Sequence, residues 1–265
     1  MKFIDIHNHL IAHWDDGAED WDMSLEMLRQ GMEDGIEQVI CTPHILSTND
    51  LQREDEVISL YEELKRRAKE AGIPIKIHLG AELYIQPDMM LDRKICTLAQ
   101  NGRYFLVEFS MSMIPDFVAQ KFFDYLLEDK IPIIAHPERN VSIINAPQKA
   151  YEFVERGALL QVNAGSLYGI FGSRVQTAAV QLMDANLVHF IASDGHDLNK
   201  RPLLLRKAFE IVKEKWGDKR AEKLFYENQV KMINAEDISP GDFQMISSRQ
   251  LSFREKISNF INKIN

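Results

Sequence analysis

A short apolar run, Phe3-Ile4-Asp5-Ile6, leads directly into His7 and His9, with Asp15 and Asp16 close behind. In an extended strand, side chains two positions apart share a face, so two imidazoles spaced in this way can reach one ion. The same arrangement recurs along the chain. The run 38–41 is followed by Thr42-Pro43-His44, and 75–79 by Gly80-Ala81-Glu82. The run 104–109 carries Glu108 within it. The run 131–135 is followed by His136-Pro137-Glu138-Arg139, and 188–192 by Ser193-Asp194-Gly195-His196. These positions supply five histidines and four acids: His7, His9, His44, His136 and His196, with Asp16, Glu82, Glu108 and Asp194. Imidazole and carboxylate donors without thiolates suit Zn, Mn, Fe or Co, and not Cu(I) or an iron–sulfur cluster. Nine donors exceed the needs of one ion. With a bridging carboxylate they suit two or three ions at close spacing, and each cation offsets the repulsion among the acids.

The elements that must position these residues are legible. Most of the apolar runs, together with 159–163, are too uniformly hydrophobic to alternate, as expected of parallel strands buried on both faces. Amphipathic segments lie between them: one opening at Asp22-Met23-Ser24-Leu25 and ending at Gly35, then 53–71 closed by Gly72, 116–129, 148–156 closed by Gly157, 174–185 and 203–215. Glycine just past a helix end is the usual left-handed cap. The alternation predicts an α/β fold, a closed or nearly closed (β/α) barrel in one domain over 1–240, with an open doubly wound sheet left open by periodicity alone. In a parallel barrel all strand C-termini open onto one face, where such a donor set would gather.

The totals remove several classes. The net charge of −9 argues against a nucleic-acid partner, which would call for a basic face. No window is apolar enough for a membrane span, and Asp5, His7 and His9 interrupt the only N-terminal apolar stretch, so a cytoplasmic location is expected. The two cysteines, Cys41 and Cys96, imply no disulfide framework. Neither has an arginine six positions on, where a cysteine-dependent phosphatase needs one: Ser47 and Gly102 stand there. No Gly-x-Ser-x-Gly elbow occurs. In the tail, 241–265, Ser252 and Glu255 have capping-box spacing ahead of Ile257, Phe260, Ile261 and Ile264. This predicts a short amphipathic helix that docks on the barrel or touches a membrane surface or partner.

The set Asp5-Ile6-His7-Asn8-His9, Asp15-Asp16-Gly17, Thr42-Pro43-His44, Gly80-Ala81-Glu82, Glu108-Phe109, Ala135-His136-Pro137-Glu138-Arg139 and Ala192-Ser193-Asp194-Gly195-His196 resembles the PHP (polymerase and histidinol phosphatase) superfamily. More narrowly, it resembles the bacterial PHP-type protein-tyrosine phosphatases found with capsule and exopolysaccharide synthesis. The likeness runs from about residue 3 to 230, in order and with no motif missing. Asn8 stands where relatives often have Cys or Ser, and neither it nor the variable Gly195 is a ligand position. The resemblance implies a distorted (β/α)7 barrel with a trinuclear centre of divalent ions (Mn, Fe, Co or Zn, with Mn or Fe foremost). Carried over by position, His7, His9, Glu82 and Asp194 hold one ion. Glu82 bridges to a second, held also by Glu108 and His136. Asp16, His44 and His196 hold the third. Arg139 and Arg201 match the phosphate-binding arginines.

The expected chemistry is attack on phosphorus by a metal-activated hydroxide, with the arginine forks neutralising the phosphoryl oxygens. A tyrosine phenolate, pKa about 10, leaves without a strong acid, and His196 or a metal-bound water is the candidate proton donor. The resemblance implies a phosphotyrosine protein as partner, a bacterial tyrosine kinase of polysaccharide assembly. The alternatives are a small-molecule phosphatase of the histidinol phosphate kind, a phosphodiesterase on the same barrel, or a metal-binding scaffold without turnover. The first would need a deep pocket closed by long loops, whereas most strand–helix loops here read as short.

Overall fold

The computed structural model describes residues 2–246, and its strands run parallel throughout. They are β1 (Phe3–Asp5), β2 (Ile36–Cys41), β3 (His44–Ile45), β4 (Lys76–Leu79), β5 (Glu82–Tyr84), β6 (Tyr104–Glu108), β7 (Ile131–Ala135), β8 (Leu159–Asn163) and β9 (Phe190–Ala192). Two ladders form, in the orders β1-β2-β4 and β3-β5-β6-β7-β8-β9. Each expected run is present. Beyond the runs 38–41 and 75–79 the chain resumes as the short strands β3 and β5, which turns seven runs into nine strands. Pro43, which has no N–H to give a ladder, separates β2 from β3. Backbone bonds nevertheless cross the break, from Gly80 N to Cys41 O (2.9 Å) and from Glu82 N to Pro43 O (3.1 Å).

The circuit closes at its rim. His9 N donates to Gly195 O and Asp194 N to His7 O, each at 2.8 Å, with Asn8 and Gly195 forming an isolated parallel bridge. Lower down, a side chain takes over from the ladder. The buried Asp5 carboxylate accepts from Ser193 N (2.6 Å), Ser193 Oγ (2.9 Å) and Asn8 Nδ2 (2.9 Å). Burial pushes the Asp5 pKa up to about 6, against the pull of those donors.

The side chains sort into two cores by strand parity. Ile4, Leu106, Ile133, Leu159 and Phe190 fill the interior, while Phe105, Val107, Ile134, Leu160 and Ile191 face the surrounding helices. The helix Trp21–Asp34 starts where Asp20 accepts from Met23 N at 2.8 Å and ends at Gly35, whose φ of 106° favours glycine. The helices Glu54–Glu70, Val118–Leu127, Gln148–Glu155, Ser173–Asp184 and Arg206–Trp216 fall where the amphipathic segments predict. The last begins three residues later than expected, because Asp34 Oδ2 caps it from another helix, accepting from Leu205 N (2.6 Å) and Arg206 N (2.8 Å).

Residues 85–103, for which the sequence named no amphipathic segment, contain the short 3₁₀ turns Lys94–Cys96 and Leu98–Gln100. Two features depart from the expectation. The connections 6–20, 85–103 and 193–205 are long rather than short. A helical run over 218–233, including the π-helical turn Lys223–Glu227, seals the N-terminal end of the strands. There Phe225 lies 6.0 Å from the Phe3 ring, and Asn101 Nδ2 donates to Met232 O at 2.6 Å. The tail helix expected over 252–264 lies outside the described residues. Among the described residues, no helix is long and apolar enough to cross a membrane.

Candidate metal centre

The nine predicted donors converge where the strands end. His7 and His9 leave the end of β1 fully buried, with their Nε2 atoms 3.4 Å apart. Glu82, at the start of β5, points Oε2 between them, 3.1 Å from His7 Nε2 and 3.4 Å from His9 Nε2. The same oxygen lies 3.1 Å from His44 Nδ1. Its partner Oε1 lies 2.9 Å from His136 Nε2. Asp194 Oδ1 approaches His7 Nε2 (3.4 Å), His9 Nε2 (3.6 Å) and His196 Nδ1 (3.5 Å). Glu108, the last residue of β6, lies 3.3 Å from His44 Nδ1. Asp16 stands at the solvent side, with Oδ1 3.5 Å from His44 Nε2 and 3.4 Å from His196 Nε2.

These atoms fall into overlapping sets small enough to surround an ion: His7, His9 and Asp194; His7, Glu82 and His136; His44, Glu82 and Glu108; and His9, Asp16, His44 and His196. The sets overlap with the partition that the resemblance implies but differ from it: His7 joins Glu82 and His136, no one set holds both Glu108 and His136, His44 stands between the Glu82–Glu108 pair and the Asp16–His196 pair, and His9 also reaches the latter.

The donor chemistry fits divalent ions. His44 Nδ1, Glu82 Oε2, Asp194 Oδ1 and His196 Nε2 are all buried and lack a hydrogen-bond partner of acceptable geometry. One such atom costs about 1–3 kcal/mol, so four gathered in one place imply a counter-charge that satisfies them together. Ring orientation agrees. His9 Nδ1 faces the Asp15 carboxylate at 2.8 Å, and His196 Nδ1 faces the Asp194 carbonyl oxygen at 2.9 Å. Both partners accept, so each ring carries its proton on Nδ1 and turns the Nε2 lone pair toward the cluster. His136 (φ 33°) and Asp194 (φ 54°) both occupy the left-handed region that non-glycine residues avoid, as strained residues at functional sites often do.

Electrostatics follow from crowding. Burial works against the charge on Asp194, but His7 and Arg201 outweigh it and hold the carboxyl well below its usual range. Burial likewise opposes charge on Glu82, and His7 and His136 reverse the effect. Arg139 Nη1 donates to Asp194 Oδ2 at 2.8 Å while its guanidinium lies 4.4 Å from the centre of the Phe171 ring. Arg201 Nη2 lies 2.6 Å from Asp194 Oδ1. Both arginines border a cavity of about 440 Å³ above the donors, walled also by Trp14, Leu46 and Met111.

The remaining histidines stand apart. His13 packs edge-on against Trp21, His78 pairs with Gln38 at 3.0 Å, and buried His189 accepts from Leu160 N at 3.2 Å. Three residues that serve the centre were not read from the sequence as doing so. Asp15 orients His9. Gln161 accepts from His7 Nδ1 at 2.8 Å, and Asn163 reaches Asp194 at 2.6 Å. The available signal was polarity at inward parity within the otherwise apolar strand Leu159–Asn163.

Comparison with known proteins identifies relatives of the chain. A family model described as capsular polysaccharide synthesis, CpsB/CapC, matches residues 3–234. The chain is 36% identical to the tyrosine-protein phosphatase YwqE of Bacillus subtilis (strain 168), over 81% of this chain and 85% of that protein. It is 29% identical to the tyrosine-protein phosphatase CpsB of Streptococcus pneumoniae, over 87% of this chain and 98% of that one. Among solved structures, one from work on B. subtilis YwqE and S. pneumoniae CpsB, described as unique metal-dependent tyrosine phosphatases, superposes with a TM-score of 0.86. It is 32% identical and covers 92% of this chain and 99% of its own. A phosphotriesterase homology protein from Escherichia coli shares the fold at 12% identity, with a TM-score of 0.52 over 88% of this chain and 98% of its own. The chain therefore belongs to the CpsB/CapC family of capsular polysaccharide synthesis proteins.

Proposed function

We propose that this protein is a metal-dependent phosphatase that removes phosphate from tyrosine on a protein substrate, a bacterial tyrosine kinase of polysaccharide assembly. The observation that carries the reading is the cluster of buried, unsatisfied donors beneath two arginines. His7, His9, Asp16, His44, Glu82, Glu108, His136, Asp194 and His196 would hold three divalent ions. When bound, such ions supply hydroxide near neutral pH and offset phosphoryl charge.

The chain's own groups account for the rest. Arg139 and Arg201 present planar forks to the phosphoryl oxygens, a geometry that a lysine cannot copy. Both rest on Asp194, which holds them at the mouth of the cavity. Trp14, Leu46 and Met111 give that cavity apolar walls suited to an aromatic ester. His196 serves as a ligand rather than a proton donor. Its Nδ1–H is committed to a carbonyl, and burial disfavours a second proton on the ring, so Nε2 stays unprotonated. A phenolate leaving group, pKa about 10, is compatible with a site that has no protein acid.

The test is phosphate release from a phosphotyrosine peptide and from histidinol phosphate, using chelator-stripped protein and protein resupplied with Mn, Fe, Co or Zn. Metal-dependent release from the peptide alone supports the reading. Release only from the small molecule keeps the centre and moves the function to metabolism. No release from either, with metal bound, points to a phosphodiester substrate or a scaffold without turnover.

A further inference from the structure

Beneath the ion-binding atoms, three hydrogen bonds link four buried side chains. His7 Nδ1 is 2.8 Å from Gln161 Oε1. Gln161 Nε2 donates to Asn163 Oδ1 at 2.9 Å. Asn163 Nδ2 donates to Asp194 Oδ2 at 2.6 Å. All four residues are essentially sealed from solvent, so none of these groups can turn to water instead.

The direction of this chain is dictated from one end. An ionised carboxylate only accepts hydrogen bonds. Asn163 must therefore turn its NH₂ to Asp194, which leaves its carbonyl oxygen facing Gln161. Gln161 must then turn its own NH₂ toward Asn163, which leaves its carbonyl oxygen facing His7. A carbonyl also only accepts, so His7 must carry its proton on Nδ1. Its Nε2 lone pair is thereby aimed at Glu82 and Asp194, the position from which it can bind an ion.

We infer that Gln161 and Asn163 are positioning residues that transmit the polarity of the Asp194 carboxylate to His7 and fix its metal-binding tautomer. The inference rests on the metal reading above and extends it to residues that touch no ion. The arrangement also makes the two ligands interdependent. Asp194 Oδ2, which sets the tautomer of His7, is the oxygen that accepts from Arg139 at 2.8 Å. Phosphate-binding arginine, carboxylate and imidazole thus share one hydrogen-bond line.

The test is Co²⁺ titration of chelator-stripped full-length protein, followed by calorimetry and by the visible absorption of bound Co²⁺, with circular dichroism of each metal-free variant as a check of fold. Gln161→Met removes both hydrogen bonds at nearly constant volume, and is expected to weaken Co²⁺ binding by about tenfold or more and to alter the spectrum. Gln161→Glu keeps an acceptor for His7 but loses the donor to Asn163 Oδ1, so it is expected to bind Co²⁺ more tightly than Gln161→Met and less tightly than the parent. Asn163→Leu cuts the line one link away with Gln161 in place and is expected to weaken binding at least about threefold, the small end of that range. A folded Gln161→Met that binds Co²⁺ as the parent does would overturn the inference, as would a Gln161→Glu no better than Gln161→Met. If Gln161→Met does not fold, a folded Asn163→Leu with parental affinity overturns it. A parent that takes up no Co²⁺ overturns the metal reading itself, and the inference with it.

Discussion

One carboxylate, Asp15, orients two ligand positions: it faces His9 Nδ1 at 2.8 Å and accepts from the backbone N–H of His44 at 2.9 Å. It also accepts from Gly17 N at 3.0 Å, so the loop after β1 is folded around it. Burial would raise the Asp15 pKa, but His9 outweighs it and lowers it to about 2. Asp15→Ala should therefore weaken metal binding by about tenfold or more, as the loss of a partner behind a ligating histidine does elsewhere. It should also destabilise the chain by about 1–3 kcal/mol through the donors left unpaired. Metal content after dialysis and urea unfolding measure the two effects separately.

Gly17 is required by space. A Cβ there would lie 2.2 Å from His9 O and 2.4 Å from His9 Cβ, so backbone would have to move. Gly17→Ala should cost about 1–3 kcal/mol, as overpacking does. It should also displace the loop that carries Asp16, the only exposed donor of the set, with a side chain 67% exposed. Loss of phosphatase activity together with a lower urea midpoint is the expected result. An alanine variant with parental stability would show that the loop has room to shift.

Removing a ligand tests the centre directly. His44 lies within reach of both the Glu82–Glu108 pair and the Asp16–His196 pair, so His44→Ala should disturb two ion positions at once. Asp194→Ala removes a ligand and the anchor of Arg139 and Arg201 together. Both variants should abolish turnover while circular dichroism still reports a folded chain. Unchanged activity in both would rule out the metal assignment.

The ligands were legible from the sequence because each lies near the end of an apolar run or in the segment that follows it. Polar residues interrupt uniformly apolar runs there, and parallel topology gathers all such positions on one face. The supporting residues were less legible for a physical reason. Gln161 and Asn163 lie on β8, and the sequence places them beside the site only once the barrel has closed, with His7 far away in the chain. The strand–helix alternation pointed to a closed or nearly closed barrel without deciding closure. The join between β1 and β9 is made by the rim bonds of His7 and His9 and by the Asp5 carboxylate, contacts that no periodicity encodes. The run over 218–233 escaped notice because its role is to cover the N-terminal end of the strands, with Phe225 against Phe3 and Met232 O bound by Asn101, both long-range contacts.

The arginines can be tested one at a time. Arg139 donates to Asp194 and stacks on Phe171, so its fork is held before substrate arrives. Arg139→Lys keeps the charge but loses the planar fork and the stacking. Its kcat/KM toward a phosphotyrosine peptide should fall by about 10²-fold, the scale of losing one preorganised donor to a developing charge. Metal content should stay at the parental level. A fall in activity accompanied by loss of metal would place the role of Arg139 in holding Asp194 instead of phosphate.

His189 gives a pH dependence separate from the centre. It is fully buried, and burial with the nearby Arg220 and Lys223 lowers its pKa from 6.5 to about 3. The folded chain keeps this imidazole neutral, while the unfolded chain protonates it below pH 6.5. Between those values the unfolded state binds the extra proton, so stability falls as pH falls, by about 1.4 kcal/mol per pH unit once well inside the window. His189→Gln has no such group to titrate. The difference in unfolding free energy between parent and variant, measured in urea at pH 6 and pH 4 with metal removed from both, should shift in favour of the variant at the lower pH. Comparing the two chains subtracts the ligands, which titrate in both. A difference that stays constant across the window would mean that His189 already carries its proton in the folded state.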